Sequence, residues 1–390
     1  MVKDYKRLGD FIQEIDVRNR DLSVTELMGI NINKHFMPSV ANVIGTDLSN
    51  YKIVSKMQFA CNLMHVGRDE KIPMAMLTED SPIIVSPAYF VFEVIDTDLL
   101  LPEYLMMWFS RKEFDRNAWF YTDADVRGGM GKETLLDMKL PIPSIERQRE
   151  IVAEYETLSK RISLNEQLIS KLEQTAQTLY RKMFVEGIDK ENLPEGWRMG
   201  AIGNFGEVIT GKTPSSENPE DFGGEMPFIT PGDFTDYKKF AIGAERMLSD
   251  TGVNRLKTKI LRKGAVIVTC IGSDMGKVAI ASEECITNQQ MNSIAVNCYE
   301  YSDYLFYGLS LMSKELKSMA LGSSTMPMLN KSDFERIPIA IPPYGLLKDF
   351  SKSVHAGNDL IILKSKENSM LTKLQSLLLA RMGKSDTMSQ

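Results

Sequence analysis

The sequence predicts an α+β protein with two similar mixed α/β domains, separated by two long helices that pack as an antiparallel coiled coil with pseudo-two-fold symmetry. The first observation behind this prediction is an internal repeat with a spacing of about 199 residues. Leu140-Pro141-Ile142-Pro143-Ser144 recurs as Ile339-Ala340-Ile341-Pro342-Pro343. Beyond this junction the spacing is kept, since Ser170, Leu172, Leu179 and Met183 match Ser369, Leu371, Leu378 and Met382. A block followed by a helix is therefore present twice.

Composition is the second observation. The chain has 390 residues, of which 43% are hydrophobic and 25% are charged, so it has room for two cores of domain size. It contains no run of 18 apolar residues, and its start lacks the apolar stretch of a signal peptide, so we expect a cytoplasmic protein without a membrane span. The four cysteines have no short paired spacing, which argues against a metal site or a disulfide framework.

The third observation is an apolar seam in the first long helix. The seam alternates in steps of four and three residues, the period of helices that pack along their length. It comprises Ile151, Tyr155, Leu158, Ile162, Asn165, Ile169, Leu172, Ala176, Leu179 and Met183. Leu371 and Leu378 hold matching positions in the second helix, whose seam is poorer. Such a helix would run roughly 50 Å at about 1.5 Å per residue. Because the first helix must deliver the chain to the second domain, side-by-side packing would be antiparallel; in the alternative, each helix packs only on its own domain.

These patterns divide the chain into four parts. Residues 1–143 form the first domain and residues 144–186 the first long helix. Residues 187–342 form the second domain, and residues 343–390 form the second long helix and a polar tail. Each domain is predicted to place short β-rich runs before a helix and then the proline-containing junction.

Several short motifs occur in matching order in the two halves. The openings read Tyr5-Lys6-Arg7-Leu8-Gly9-Asp10 and Leu193-Pro194-Glu195-Gly196-Trp197, and the second domain continues with Thr210-Gly211-Lys212-Thr213-Pro214 and Ile229-Thr230-Pro231-Gly232-Asp233. With the junctions and helix ends, this order resembles the specificity subunit of type I restriction-modification systems over nearly the whole chain. The first domain departs from the pattern because it lacks a Leu-Pro-Glu-Gly-Trp opening, which is consistent with a trimmed N-terminus.

The resemblance implies that each block is a target recognition domain reading one half of a split double-stranded DNA sequence. It also implies two methyltransferase subunits as partners, with S-adenosylmethionine bound by them and not by this chain, and motor-nuclease subunits where restriction occurs. We expect no catalytic residues here. The nearest match to the polar-Pro-Pro-aromatic motif of an adenine methyltransferase is Ile341-Pro342-Pro343-Tyr344, and Ile341 cannot accept a hydrogen bond from the target amine.

The second domain offers amide, hydroxyl and lysine side chains in predicted loops. Amides and hydroxyls pair with base edges, and lysine neutralises phosphate. The candidates are Lys212, Thr213, Lys277, Asn288, Gln289, Gln290, Ser323, Ser324 and Thr325. The alternative is that these amides cap turns inside the domain.

The first domain offers a more basic set, in which Arg127 belongs to a glycine-rich loop that matches the 322–328 loop of the second domain. The candidates are Arg18, Asn19, Lys34, Asn62, Arg68, Ser86, Tyr89 and Arg127. Because the two sets differ while the frame is shared, we expect an asymmetric target whose half-site centres lie roughly one to one and a half turns of DNA apart. The net charge of −6 does not exclude this, since binding depends on where basic side chains gather. The competing hypothesis is a coiled-coil scaffold with two protein-binding domains and no affinity for DNA.

Overall fold

The structure is a computed structural model that describes residues 5–39, 45–64, 66–122, 129–189, 191–235, 237–272, 275–320 and 328–383. The chain divides into two compact units. Unit 1 comprises Met1–Ile162 with Met370–Gln390, and unit 2 comprises Ser163–Ser369. Both long helices therefore contribute one segment to each unit.

The elements of unit 1 are short, apart from the long helix that leaves it. Within the described residues its strands are β1 (Tyr5–Arg7), β2 (Ile12–Glu14), β3 (Met28–Ile30), β4 (Phe36–Pro38), β5 (Lys52–Val54), β6 (Phe59–Cys61), β7 (Met74–Met76), β8 (Ile83–Val85), β9 (Phe90–Val94) and β10 (Lys139–Pro141). Its helices are α1 (Val66–Asp69), α2 (Pro102–Phe109), α3 (Lys112–Phe120), α4 (Lys132–Asp137) and the start of α5 (Ile145–Phe184).

Unit 2 repeats this order, and several of its strands are longer. Within the described residues its strands are β11 (Arg198–Ala201), β12 (Gly206–Thr210), β13 (Phe222–Ile229), β14 (Phe240–Ala241), β15 (Arg246–Leu248), β16 (Val266–Thr269), β17 (Val278–Ala281), β18 (Ile286–Thr287), β19 (Met291–Val296) and β20 (Pro338–Ile341). The helices are α6 (Asp250–Arg255), α7 (Glu300–Leu311), α8 (Ser313–Ala320), α9 (Lys331–Glu335) and α10 (Tyr344–Met382). Short 3₁₀ turns lie at Leu8–Asp10, Leu48–Asn50, Ile202–Asn204, Pro219–Asp221, Pro231–Thr235 and Lys257–Lys259.

The sheet topology shows the repeat directly. Unit 1 has a four-stranded sheet in the order β2-β9-β6-β7, and unit 2 has β12-β19-β16-β17 with β14 added as a fifth strand. In each unit the opening strand pairs antiparallel with the strand before the long helix, β1 with β10 and β11 with β20. The remaining strands pair as β3-β4, β5-β8 and β15-β13-β18.

A buried tyrosine fastens each domain to the strand that leads into a long helix. The hydroxyl of Tyr104, on α2, donates a hydrogen bond to the carbonyl oxygen of Pro141 at 3.2 Å. The hydroxyl of Tyr304, on α7, donates to the carbonyl oxygen of Ala340 in the same way. Because a buried hydroxyl needs a partner, this contact fixes where each helix leaves its domain.

Within each unit the two long helices run antiparallel. In unit 1, Gln375 Nε2 donates to Ser159 Oγ at 2.7 Å, and Met382 joins the core that contains Ile151. In unit 2, Asn165 Nδ2 donates to Asn368 Oδ1 at 2.8 Å. The predicted seam residues lie buried or half-buried, namely Ile151, Tyr155, Leu158, Ile162, Ile169, Leu172, Leu179, Leu371 and Leu378. The alternative, in which each long helix packs only on its own domain, is wrong, because the two helices contact each other in both units.

A buried ion pair ties the domain of unit 2 to both long helices. Lys239 immediately precedes β14 and has 1% of its surface exposed, and its Nζ lies 2.6 Å from Asp303 Oδ1 on α7. The same Nζ donates to Asn358 Oδ1 on α10 at 2.8 Å, and the Lys239 backbone N–H donates to Glu173 Oε1 on α5 at 3.0 Å. Burial lowers the pKa of Lys239, and the Asp303 carboxylate acts in the opposite direction.

The described helices include none that is long and apolar enough to cross a membrane. Across the same residues, we find no group of three or more histidine, cysteine, aspartate or glutamate side chains placed to hold a metal ion.

Substitution of Lys239 tests the buried ion pair. We expect Lys239→Ala to lower the free energy of unfolding of unit 2 by about 3–5 kcal/mol, because it leaves the Asp303 charge buried without its partner. Lys238→Ala, at the exposed neighbour, should change it by less than about 0.5 kcal/mol. The change in unfolding free energy of each variant is measured by urea unfolding of the full chain, with hydrogen exchange of the β17 amides (residues 278–281) as the probe of unit 2. The double variant Lys239→Met with Asp303→Leu should lower the free energy of unfolding by less than Lys239→Ala does. An equal decrease would contradict the conclusion that Lys239→Ala acts by leaving Asp303 without its partner.

Candidate nucleic-acid interface

The loops at one end of the five-stranded sheet of unit 2 bring together most of the residues predicted for this domain. Lys212 and Thr213 follow the end of β12, and residues 288–290 precede β19, which pairs with β12. The Lys212 backbone N–H donates to Thr287 O at 2.9 Å. Gly211 allows this approach, because a Cβ at that position would lie 2.2 Å from the Asn288 carbonyl oxygen.

The amide side chains of these loops differ in their availability. Gln289 is exposed, and its Oε1 accepts hydrogen bonds from the Thr213 hydroxyl at 2.5 Å and from the Thr213 N–H at 3.2 Å. Asn288 is buried and exchanges two hydrogen bonds of 3.0 Å with Gln290, so it holds the turn in the way the capping alternative describes. Gln289 and Lys212 are thus the exposed side chains here, and Thr213 and Gln290 are half-buried.

Asn292, which the sequence argument did not select, supports these loops from below. Its side chain is buried, accepts from the Thr210 hydroxyl at 2.7 Å and donates to the Leu329 carbonyl oxygen at 2.9 Å. An asparagine inside the apolar run 291–296 was the signal available in the sequence, because a buried amide needs several partners. Asn292 therefore connects the end of β12 to Leu329.

Two further segments reach the same end of the sheet. Leu329 N–H donates to Cys270 O at 2.9 Å, and Cys270 N–H donates to Gln290 O at 2.8 Å. Burial raises the pKa of the Cys270 thiol to about 12, so this side chain carries no charge. Lys277 lies just before β17, and its backbone N–H donates to Thr269 Oγ1 at 2.9 Å. Ser323, Ser324 and Thr325 lie outside the described residues.

Unit 1 uses the equivalent end of its sheet. Asn62 follows β6 and Tyr89 immediately precedes β9, at the positions that Thr269 and Met291 hold in unit 2. Met130 N–H donates to Leu63 O at 2.9 Å, which repeats the bond between Leu329 and Cys270. Arg127, three residues before Met130, lies outside the described residues. Met130, just before α4, therefore lies at this end of the sheet, as Leu329 does before α9.

The other candidates of unit 1 are held by local contacts. Arg18 lies 2.6 Å from Asp16 and donates to Asn50 O at 2.8 Å. Ser86 and Tyr89 close a turn, and the Tyr89 carbonyl oxygen accepts from Lys52 Nζ at 2.9 Å. Arg68 is exposed and pairs with the neighbouring Asp69 at 2.7 Å.

Two candidates of unit 1 are buried, and the structure gives them a different role. Asn19 is 0% exposed, and its amide exchanges hydrogen bonds with the backbone of Val24. Lys34 is buried with its Nζ 2.7 Å from Asp115 Oδ1, and its backbone has a φ of 66° at the tip of the β3-β4 hairpin. Both side chains stabilise loops from inside, and their burial argues against the predicted contacts of Asn19 and Lys34 with DNA.

The fold and these loops define a class of duplicated proteins in which each mixed domain presents polar loops at one end of its sheet and is joined to the other domain through long helices. A family model of the type I restriction modification DNA specificity domain matches residues 71–174 and 194–346. The chain belongs to this family.

Individual relatives agree with that membership. The type I restriction enzyme HindI specificity subunit of Haemophilus influenzae is 27% identical, over 77% of this chain and 80% of that protein. The MjaIX specificity subunit of Methanocaldococcus jannaschii is 32% identical over 48% of this chain and 43% of that protein. The crystal structure of the type I restriction-modification S subunit from M. genitalium shares the fold, with a TM-score of 0.63 at 13% identity, covering 98% of this chain and 96% of that one.

Proposed function

We propose that this chain is the non-catalytic subunit that selects the DNA sequence for a type I restriction-modification complex, and that each domain reads one half of a bipartite, asymmetric target. The observation that carries this proposal is that equivalent sheet ends in the two units present different polar side chains, Gln289 and Thr213 in one and Asn62 and Tyr89 in the other. A shared frame with different loops suits two different half-sites.

The partners follow from the same proposal. Two methyltransferase subunits would bind S-adenosylmethionine and methylate adenine, and motor-nuclease subunits would join them where the system restricts DNA. We place the complex in the cytoplasm, where the chromosome is. The long helices would fix the gap between the half-sites, since α5 alone has 40 residues and a length of about 60 Å.

The docking surface that we propose for a methyltransferase subunit lies on α10. The apolar residues at the helix starts face the cores of their units, as Val152 and Phe350 show. In contrast, Met370, Leu374 and Leu377 are 65%, 50% and 61% exposed. Their spacing of four and three residues places them on one helix face, and an exposed apolar stripe of this kind marks a contact surface.

Genome-wide mapping of methylated adenines tests the main proposal. The chain would be co-expressed with its neighbouring methyltransferase subunit, and methylation read by single-molecule sequencing. We expect a split motif with one fixed gap that disappears when the chain is deleted. Methylation that persists without the chain would instead favour a scaffold.

Substitutions in the 211–213 and 288–290 loops should separate base reading from phosphate contact. We expect Gln289→Ala to relax the sequence preference in one half-site only, by about 1–3 kcal/mol. Lys212→Ala should weaken binding to every sequence and reduce the slope of log affinity against log salt by about 1. Lys263→Ala, at an exposed lysine outside these loops, serves as the control and should change neither quantity. The sequence preference and the salt dependence of the affinity are both measured by DNA-binding titrations of the assembled methyltransferase at several salt concentrations.

Shortening both helices tests the proposed ruler. Residues 162–168 and 365–371 face each other in the antiparallel register set by Asn165 and Asn368, so removing both heptads keeps the remaining pairs matched. The helices become about 10 Å shorter, and we expect the methylated motif to lose about three base pairs from its gap. An unchanged gap with both half-sites intact would contradict the ruler.

Charge placed on the α10 stripe tests the docking surface. We expect Leu374→Glu with Leu377→Glu to weaken binding of the methyltransferase subunit at least about tenfold, because the carboxylates would have to be desolvated in the interface. Lys373→Glu changes an exposed residue beside the stripe and should have a much smaller effect. Pull-down and calorimetric titration of the two subunits compare the variants; equal affinities would rule out the stripe.

A further inference from the structure

Unit 1 contains a cavity of about 1120 Å³ that the proposed function does not use. It lies beside β7, which is the edge strand of the four-stranded sheet. Its wall is built from the β3-β4 hairpin, residues 70–71, β7, α2, α3 and the unit 1 segments of the long helices, and includes Met76, Glu103, Met107, Tyr155, Glu156 and Ser159. The cationic side chains in the wall are Lys34, Lys71, Lys112 and Arg116, of which Lys34 pairs with Asp115 and Arg116 with Glu113. A cavity at an open sheet edge offers both backbone and side-chain contacts to an added strand.

The corresponding place in unit 2 is filled by a strand of the chain itself. Met76 pairs with Phe59 as Ile280 pairs with Val266, so β7 and β17 are equivalent. In unit 2, β14 lies parallel to β17, and Ile280 N–H donates to the Lys239 carbonyl oxygen at 2.9 Å. The described part of unit 1 has no strand in this position.

The backbone of β7 is oriented to receive such a strand. Leu77 N–H donates to the Gln58 carbonyl oxygen at 2.9 Å, so Leu77 directs its backbone groups toward β6. Successive residues of a strand direct their N–H and C=O groups to opposite sides. The N–H and C=O of Met76 therefore face the cavity, as those of Ile280 face β14.

The side chains around the cavity match those that hold Lys239 in unit 2. The tyrosine contacts align Tyr104 with Tyr304, which places Glu103 at the position of Asp303. The 199-residue repeat places Ser159 at the position of Asn358. Glu156, one turn before Ser159, adds a second carboxylate. Within the described residues, neither Glu103 nor Glu156 has a salt-bridge partner, whereas Lys34 is already paired with Asp115.

We propose that this cavity binds an extended segment of a partner polypeptide, which adds to β7 as a fifth strand and places a lysine against Glu103. The lysine precedes an apolar residue that packs on Met107, as Phe240 follows Lys239 in unit 2. Backbone hydrogen bonds to Met76 give affinity, and the carboxylate selects the basic residue. This surface is separate from the loops proposed to read DNA.

The chain supplies its own probe for this surface. A fluorescent peptide with the sequence of residues 237–243, Tyr-Lys-Lys-Phe-Ala-Ile-Gly, reproduces the strand that fills the equivalent position. Titrated against the full chain, it should bind and should slow hydrogen exchange at the Met76 amide. Glu103→Lys should weaken binding about tenfold, the loss expected for one charge-assisted hydrogen bond. The Lys239→Glu form of the peptide should bind poorly to the unmodified chain and better to Glu103→Lys.

The control variant is Glu146→Lys, which makes the same change at an exposed position on α5 outside the cavity. It should leave the affinity for the peptide unchanged. The proposal is overturned if Met76 gains no protection at millimolar peptide, or if Glu103→Lys and Glu146→Lys bind equally well. Neither result depends on DNA, so methylation mapping can succeed or fail independently.

Discussion

Unit 2 depends on a lysine and an aspartate that have been removed from water together. Lys239 and Asp303 are each 1% exposed, and desolvating two charges is expensive unless both are paired and hydrogen-bonded. Asn358 reduces this cost because it bonds to both members, accepting from Lys239 and donating to Asp303 Oδ1 at 2.9 Å, although Asp303 Oδ2 has no hydrogen-bond partner among the described residues. Glu173 then bonds to the Lys239 backbone. One small network thus joins a sheet edge, α7 and segments of both long helices, and it can form in only one relative placement of them.

Unit 1 secures its helix with a neutral group. Gln148, on the first turns of α5, is fully buried and donates to the carbonyl oxygens of Leu99 at 2.8 Å and Pro143 at 2.9 Å, while accepting from Leu101 N–H at 2.9 Å. An amide with all these partners carries no desolvated charge. Both units therefore share the tyrosine contact, but they fix their long helices by different groups, a buried ion pair in unit 2 and a neutral amide in unit 1.

The sequence was sufficient to predict the long helices and the internal repeat, because both produce regular spacings of residue types along the chain. The seam of α5 and the matching junctions identify the two blocks, and the family comparison and the shared fold confirm them. The exposure of a side chain, in contrast, depends on tertiary contacts that the spacing of residues does not show. Asn19 and Lys34 looked like surface candidates, yet Val24 and Asp115 bury them through contacts that no spacing reveals. Lys239, beside the exposed Lys238, carried no sequence signal at all.

Under the proposed function, Gly211 has a consequence for the redesign of DNA specificity. The 211–213 and 288–290 loops present several side chains that could be randomised to search for new target sequences, but Gly211 is where their backbones come closest. A Cβ there would lie 2.2 Å from Asn288 O and 2.3 Å from Thr287 O, and both are backbone atoms that cannot rotate away. A library that keeps this glycine and varies Lys212, Thr213 and Gln289 would retain the close approach of the two loop backbones on which every variant depends. A library that also varies position 211 would contain many variants that misfold.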